Sequence, residues 1–98
     1  MTETILQNKT ANKIGKLKKW KVTILNDDKT SMEFVVAILM RLFNHTNEIA
    51  LQLTLAIHNN GSADVGIYSY EIAETKKNKV IELAKLNGFP LQARISPE

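Results

Sequence analysis

Hydrophobic and polar positions change period several times along the chain, and each change marks an element. The run WKVTIL, Trp20 to Leu25, alternates and is rich in β-branched and aromatic residues, which predicts a strand. After NDDKTS the period lengthens. Met32, Val35, Val36, Leu39, Leu42 and Phe43 recur at three- and four-residue spacing, the signature of an amphipathic helix. Thr30 followed by Glu33 fits a capping box at its start. NHT interrupts this helix. Thr46 can cap a second one, in which Ile49, Leu53, Ala56 and Ile57 face one way. NNG ends it, with Gly61 suited to a left-handed terminus.

Val65 to Tyr68 reads as a second strand, bulged at Gly66. Ser69 can cap a third helix, Glu71 to Leu86, with an apolar face of Ile72, Val80, Leu83 and Ala84. Glu71 and Glu74 are placed in its first turn, where acids complement the helix dipole. Asn87-Gly88 and then Pro90 stop it. Leu91, Ala93 and Ile95 alternate in a third strand, Leu91 to Ser96. The order β-α-α-β-α-β lacks a regular βαβ alternation. It predicts an α+β sandwich: a three-stranded antiparallel sheet with three helices packed on one face.

Composition adds a frame. The 98 residues fit one domain, and 44% hydrophobic with 23% charged is ordinary globular usage. No cysteine is present, so disulfides, a thiol nucleophile and a cysteine-based zinc site are excluded. The N-terminus lacks a signal-peptide core and no run approaches ~18 apolar residues, so a cytoplasmic protein is expected. The net charge of +3 is unevenly placed. Residues 1–21 hold six lysines and one acid; residues 22–98 hold seven basic and nine acidic groups. Residues 1–19 are therefore expected to form a flexible basic extension and residues 20–98 the core domain. Because the core is slightly acidic, nucleic-acid binding is not expected of it.

No motif points to catalysis. A nucleophile elbow, a P-loop, a dinucleotide fingerprint and H-E-x-x-H are all missing. Asp27 and Asp28 lack the spacing and distal glutamate of a calcium loop, so neither a metal nor any cofactor is expected. What does stand out is Asn26, Asp27 and Asp28 in a row, more than a turn requires. Thr54 and His58 lie four apart on one face of the second helix, and Met32 and Val35 form a comparable pair on the first. If the two helices pack side by side, these residues can line a small cleft beside the NDD loop. Its rim would then offer an amide oxygen, a carboxylate and a ring nitrogen from Asn26, Asp27 and His58. All are acceptors suited to an ammonium with three donors. A free peptide N-terminus carries such an ammonium beside its first side chain. Spacing alone is also satisfied, more simply, by Met32 and Val35 in the core and His58 on the helix surface.

The stretches WKVTILNDDKTSMEFVVAIL, AIHNNG and YEIAETKKNKVIELAKLNGFPLQARISPE together resemble the ClpS family, adaptors of the Clp ATP-dependent proteases. They span about four-fifths of the chain. The resemblance implies a non-catalytic adaptor that binds proteins beginning with Phe, Leu, Trp or Tyr. It would deliver them to the N-terminal domain of a Clp AAA+ unfoldase, ClpA or ClpC in type, acting as a monomer without nucleic acid or membrane. By position, the resemblance implies α-amino binding by Asn26, Asp27 and His58. It implies a side-chain pocket of Ile24, Leu25, Thr30, Met32, Val35, Thr54, Ile57 and Leu91, with Met32 excluding β-branched first residues. Glu71 and Lys76 would contact the unfoldase, and the N-terminal extension would assist delivery. Two positions depart from the family pattern: Thr54 stands where Met is common, and Ser31 where Pro is common. The alternatives are a regulator that occupies the unfoldase without carrying substrates, and a binding module like the C-terminal domain of the ribosomal stalk protein.

Overall fold

The computed structural model describes residues 18–98. Its elements are β1 (Lys19–Leu25), α1 (Met32–Phe43), α2 (Asn47–Asn60), β2 (Ser62–Ser69), α3 (Tyr70–Leu86) and β3 (Gln92–Pro97). The strands form an antiparallel sheet in the order β2-β1-β3, with β1 central. This is the α+β sandwich that the pattern predicts. Strands 2 and 3 differ from the expected spans, because β2 pairs along the whole of β1 and β3 pairs with Trp20 to Leu25. Of the extension expected over residues 1–19, only Lys18 and Lys19 fall within the described residues, and Lys19 already belongs to β1.

Side chains alternate across β1. Val22 and Ile24 are fully buried, in a cluster with Val35, Ile38, Leu39 and Phe43 of α1, Ala50 and Ile57 of α2, and Ala73, Val80 and Ala84 of α3. On the opposite face Thr23 donates its hydroxyl to Asp64 (2.6 Å), which also pairs with Lys21 at 3.6 Å. The sheet thus has an apolar helix-covered face and a polar one.

The bulge expected at Gly66 is present. Val22 faces Gly66 and Thr23 faces Asp64, which leaves Val65 without a register partner and turned into the core. The freed Val65 carbonyl lies 2.7 Å from His45 Nε2. A carbonyl only accepts, so this nitrogen carries the hydrogen and ties the α1–α2 turn to the sheet. A Cβ at Gly66 would run into the Tyr68 ring, so the glycine is what lets that ring lie across the strand.

Three local expectations are corrected. Thr30 does not cap α1. The cap is Ser31, whose hydroxyl accepts from the Phe34 N–H (3.2 Å), because Thr30 is engaged by Asp27. In α2 the buried positions are Ala50, Thr54 and Ile57, and Ile49 is left exposed. That helix is apolar on most sides, and the small side chains at 50 and 54 take the tightest contacts. In α3 Ala73 takes the buried place expected of Ile72, which is 51% exposed, and of the two acids only Glu71 lies in the first turn. Ser69 occupies the cap position of α3 but makes no side-chain cap hydrogen bond. Thr46 caps α2 as expected, and Gly61 ends it at φ 91°.

Candidate functional site

The geometry begins with two backbone facts. Gly61 turns the chain out of α2, and its carbonyl accepts from the Asn26 N–H at 2.9 Å. The end of β1 is thereby fixed beside the last turn of α2, which carries His58. Chain reversal at Gly61 requires the left-handed conformation that glycine adopts without strain.

Asp27 builds the loop that follows. Its Oδ1 accepts from the N–H groups of Lys29 (2.8 Å) and Thr30 (2.7 Å), and its Oδ2 from the Thr30 hydroxyl (2.8 Å). Burial pushes the carboxyl pKa up. The Thr30 N–H, the Lys29 N–H and the Thr30 hydroxyl outweigh it and hold the group below its ordinary value of 3.8. A carboxylate has about four acceptor sites, so the three hydrogen bonds leave roughly one open. Most of what Asp27 does is shape the loop; what remains is a negative charge and a free lone pair.

Between this loop, α1 and α2 lies a cleft of about 240 Å³, lined by Asn26, Asp27, Asp28, Thr30, Met32, Val35, Thr54, Ile57 and His58. Val35, Thr54 and Ile57 form a buried floor, while Met32 stands at the mouth, 40% exposed. Asn26, Asp28 and His58 are exposed at the rim. The volume is below the ~300–1,000 Å³ of sites for drug-sized molecules and suits one side chain. Thr54 is buried, and its hydroxyl donates to the Ala50 carbonyl at 2.7 Å.

Of the sequence-derived site residues, Asn26, Asp27, Thr30, Met32, Val35, Thr54, Ile57 and His58 come together in this cleft. Ile24, Leu25 and Leu91 do not line it. Ile24 and Leu91 are in the core, because alternation turns Ile24 toward the helices, and Leu25 is half-buried in β1. Asp28 lines the cleft and was assigned no role from the sequence. Its only sequence signal is its place beside Asp27.

Glu71 and Lys76 stand elsewhere, on α3. Glu71 is exposed in the first turn. Lys76 is half-buried. Its Nζ donates to the Leu42 carbonyl in the last turn of α1 (2.6 Å) and stands 5.2 Å from the Tyr68 ring centre and 5.7 Å from that of Phe43. No group of three or more His, Cys, Asp or Glu residues that could hold a metal occurs among the described residues. No helix among them is long and apolar enough to cross a membrane.

Comparison with known proteins gives this arrangement its family. The family described as ATP-dependent Clp protease adaptor protein ClpS matches residues 16–94. An ATP-dependent Clp protease adapter protein ClpS from Campylobacter jejuni subsp. jejuni is 48% identical over 97 residues, covering 99% of this chain and 97% of that protein. One from Clostridium acetobutylicum is 46% identical over 84 residues, covering 86% of this chain and 83% of that one. Among solved structures, Agrobacterium tumefaciens ClpS2 bound to L-phenylalaninamide superposes with a TM-score of 0.80 at 38% identity, covering 83% of this chain and 98% of that one. The three stretches that resemble the family in sequence thus lie in a fold shared with a solved member. The chain belongs to the ClpS family of Clp protease adaptors, non-catalytic proteins that work with Clp AAA+ unfoldases and their substrates.

Proposed function

We propose that this adaptor selects proteins by their first residue and binds those beginning with Phe, Leu, Trp or Tyr. The observation that carries the reading is the cleft: three acceptors at its rim beside an apolar floor sized for one side chain. Asn26, Asp27 and His58 hold the α-ammonium. Thr30, Met32, Val35, Thr54 and Ile57 enclose the side chain. L-phenylalaninamide, the ligand named for A. tumefaciens ClpS2, pairs a free amino group with one aromatic side chain, the same combination. Met32 at the mouth narrows the entrance and disfavours first residues branched at Cβ.

Magnitudes are consistent with a reversible carrier. Burying a Phe or Leu side chain contributes ~1.5–3 kcal/mol. Each hydrogen bond to the ammonium adds roughly 1.5–3 kcal/mol at most. Association entropy opposes both by several kcal/mol. A micromolar or somewhat tighter complex results, which allows release. The bound protein is passed to the N-terminal domain of a Clp unfoldase, which the monomeric adaptor meets through Glu71 and the α3 face, with the lysine-rich residues 1–19 assisting delivery.

Fluorescence anisotropy of labelled peptides differing only at residue one tests the reading. Phe, Leu, Tyr and Trp should bind, and Ile and Met should bind at least about tenfold more weakly. A flat series would contradict it and leave a regulator that occupies the unfoldase without cargo.

A further inference from the structure

Among the buried residues of the cleft floor, Val35, Thr54 and Ile57, only Thr54 has a polar side chain. This inference rests on the cleft being the seat of a first residue and concerns which residue it prefers. Thr54 is 3% exposed and lines the cleft with Val35, Ile57 and Met32, none of which has a polar side-chain atom other than a thioether; the other hydroxyl of the lining, that of Thr30, is half-buried on the NDD loop and donates to Asp27. A threonine hydroxyl has one donor and two acceptor lone pairs. Here the donor is committed to the Ala50 carbonyl, which can only accept. No donor among the described residues reaches the Thr54 oxygen. The hydroxyl proton therefore points back along α2, and the oxygen keeps acceptor capacity on a residue of the cleft floor.

Depth is set by the helix. His58 is at the rim and Thr54 lies four residues earlier on the same face, ~6 Å along the axis. That offset is comparable to the reach of an aromatic side chain from its α-carbon to its ring tip. With the ammonium held near His58, the tip of the ring arrives at the level of Thr54. A hydrocarbon tip offers the Thr54 oxygen no hydrogen bond. A tip that carries a donor offers one.

We infer that Thr54 makes the cleft selective for a first residue whose ring carries a hydrogen-bond donor, so that tyrosine is bound in preference to phenylalanine and leucine. The tyrosine hydroxyl donates to Thr54 Oγ1, while Thr54 continues to donate to Ala50. Tryptophan, with its indole N–H, is the second beneficiary. The preference belongs to position 54: a side chain without oxygen there makes a floor that reads only size.

The test uses two peptides with free amino termini, identical except for Tyr or Phe at residue one, and the full chain with its Thr54→Val and Thr54→Ser variants. The readout is the ratio of the two affinities within each protein, so any general weakening cancels. One net hydrogen bond predicts a Tyr advantage of about three- to tenfold in the wild type. Thr54→Ser keeps the advantage, because serine retains the oxygen, and Thr54→Val brings the ratio to about one or below. A wild-type ratio of one, with Phe still bound, would overturn the inference and leave the first-residue reading standing. So would an unchanged ratio in Thr54→Val, since that is the result if Thr54 serves only the packing of α2. Binding of neither peptide by the wild type would overturn the first-residue reading, and this inference with it.

Discussion

Helix α1 begins beside the cleft and ends beside Lys76, ~18 Å apart by its length, and the two regions are built on opposite logic. At its start, Asp27 makes three hydrogen bonds, all within three residues of itself, and leaves charge and an acceptor facing a cleft. At its end, Lys76 reaches across 34 positions to the Leu42 carbonyl and sits against two rings, so its charge is turned inward. One charged residue shapes the loop that borders the cleft; the other joins α3, α1 and β2. Both belong to segments that resemble the family, yet the geometry gives them different work.

The comparison breaks first, and most severely, at Asp27. Asp27→Ala removes the loop's acceptor and the charge facing an ammonium, and should weaken binding of a Phe-initiated peptide by about a hundredfold, the ~3 kcal/mol of a charged hydrogen bond. Asp27→Asn keeps an oxygen for the backbone N–H groups but drops the charge and puts an NH2 donor where Oδ2 accepts from the Thr30 hydroxyl, so an intermediate loss is expected. Anisotropy titrations with circular dichroism as a folding check measure both. Equal losses for both variants would mean that the backbone hydrogen bonds to Oδ1 contribute nothing to binding.

At the other region the expected effect is on stability. Lys76→Met preserves the stem and deletes the ammonium. It should lower stability by ~1–2 kcal/mol, from a hydrogen bond to a charged group and its ring contacts. That corresponds to a fall in Tm of several degrees, at ~4–8 °C per kcal/mol for a domain of this size. Peptide affinity should change less than about twofold. A Lys76→Met chain that melts like the wild type would erase the contrast between the two regions.

Smaller effects follow at the cleft rim. His58→Ala removes one acceptor and should weaken binding of a Phe-initiated peptide a few-fold, less than Asp27→Ala, which also removes a charge. An unchanged affinity in His58→Ala would take His58 out of the ammonium site. The smallest effect is on the acid side of the stability profile. The folded-state pKa of Asp27 is depressed, so its contribution to stability is fully present above the ordinary 3.8 and is lost as pH falls through the folded value. Asp27→Asn should therefore flatten the acid limb of a stability profile below about pH 4 and leave the neutral region's slope alone. An unchanged acid limb would mean the loop hydrogen bonds do not favour the charged carboxylate.

The two regions also differ in how far they could be read from the chain. Periodicity placed every strand and helix because β1, α1 and β3 have one apolar face each. It misplaced the buried side of α2, where Ile49, Ala50, Leu51, Leu53, Leu55, Ala56 and Ile57 are apolar in most directions and close packing decides. It likewise put Ile72 where Ala73 sits, since a tight interface takes the smaller side chain. The cap of α1 moved from Thr30 to Ser31 because a carboxylate three residues upstream competes for Thr30, a contest that spacing rules do not weigh. The loop side of the cleft is legible because Asn26, Asp27 and Asp28 are short, local and polar in an unusual run, and the helix side because Met32 and Val35, and Thr54 and His58, share a face by spacing. The burial of the Lys76 ammonium was not, because nothing near position 76 signals a partner at position 42.

The central claim is that the cleft recognises an ammonium and the side chain beside it as one unit. Its most direct test compares one Phe-initiated peptide with a free amino terminus against the same peptide acetylated there. Acetylation removes the charge and two donors while leaving the ring unchanged. The account predicts that the acetylated peptide binds at least about a hundredfold more weakly, the loss of one or two hydrogen bonds to a charged group. Equal affinity for the two would contradict it.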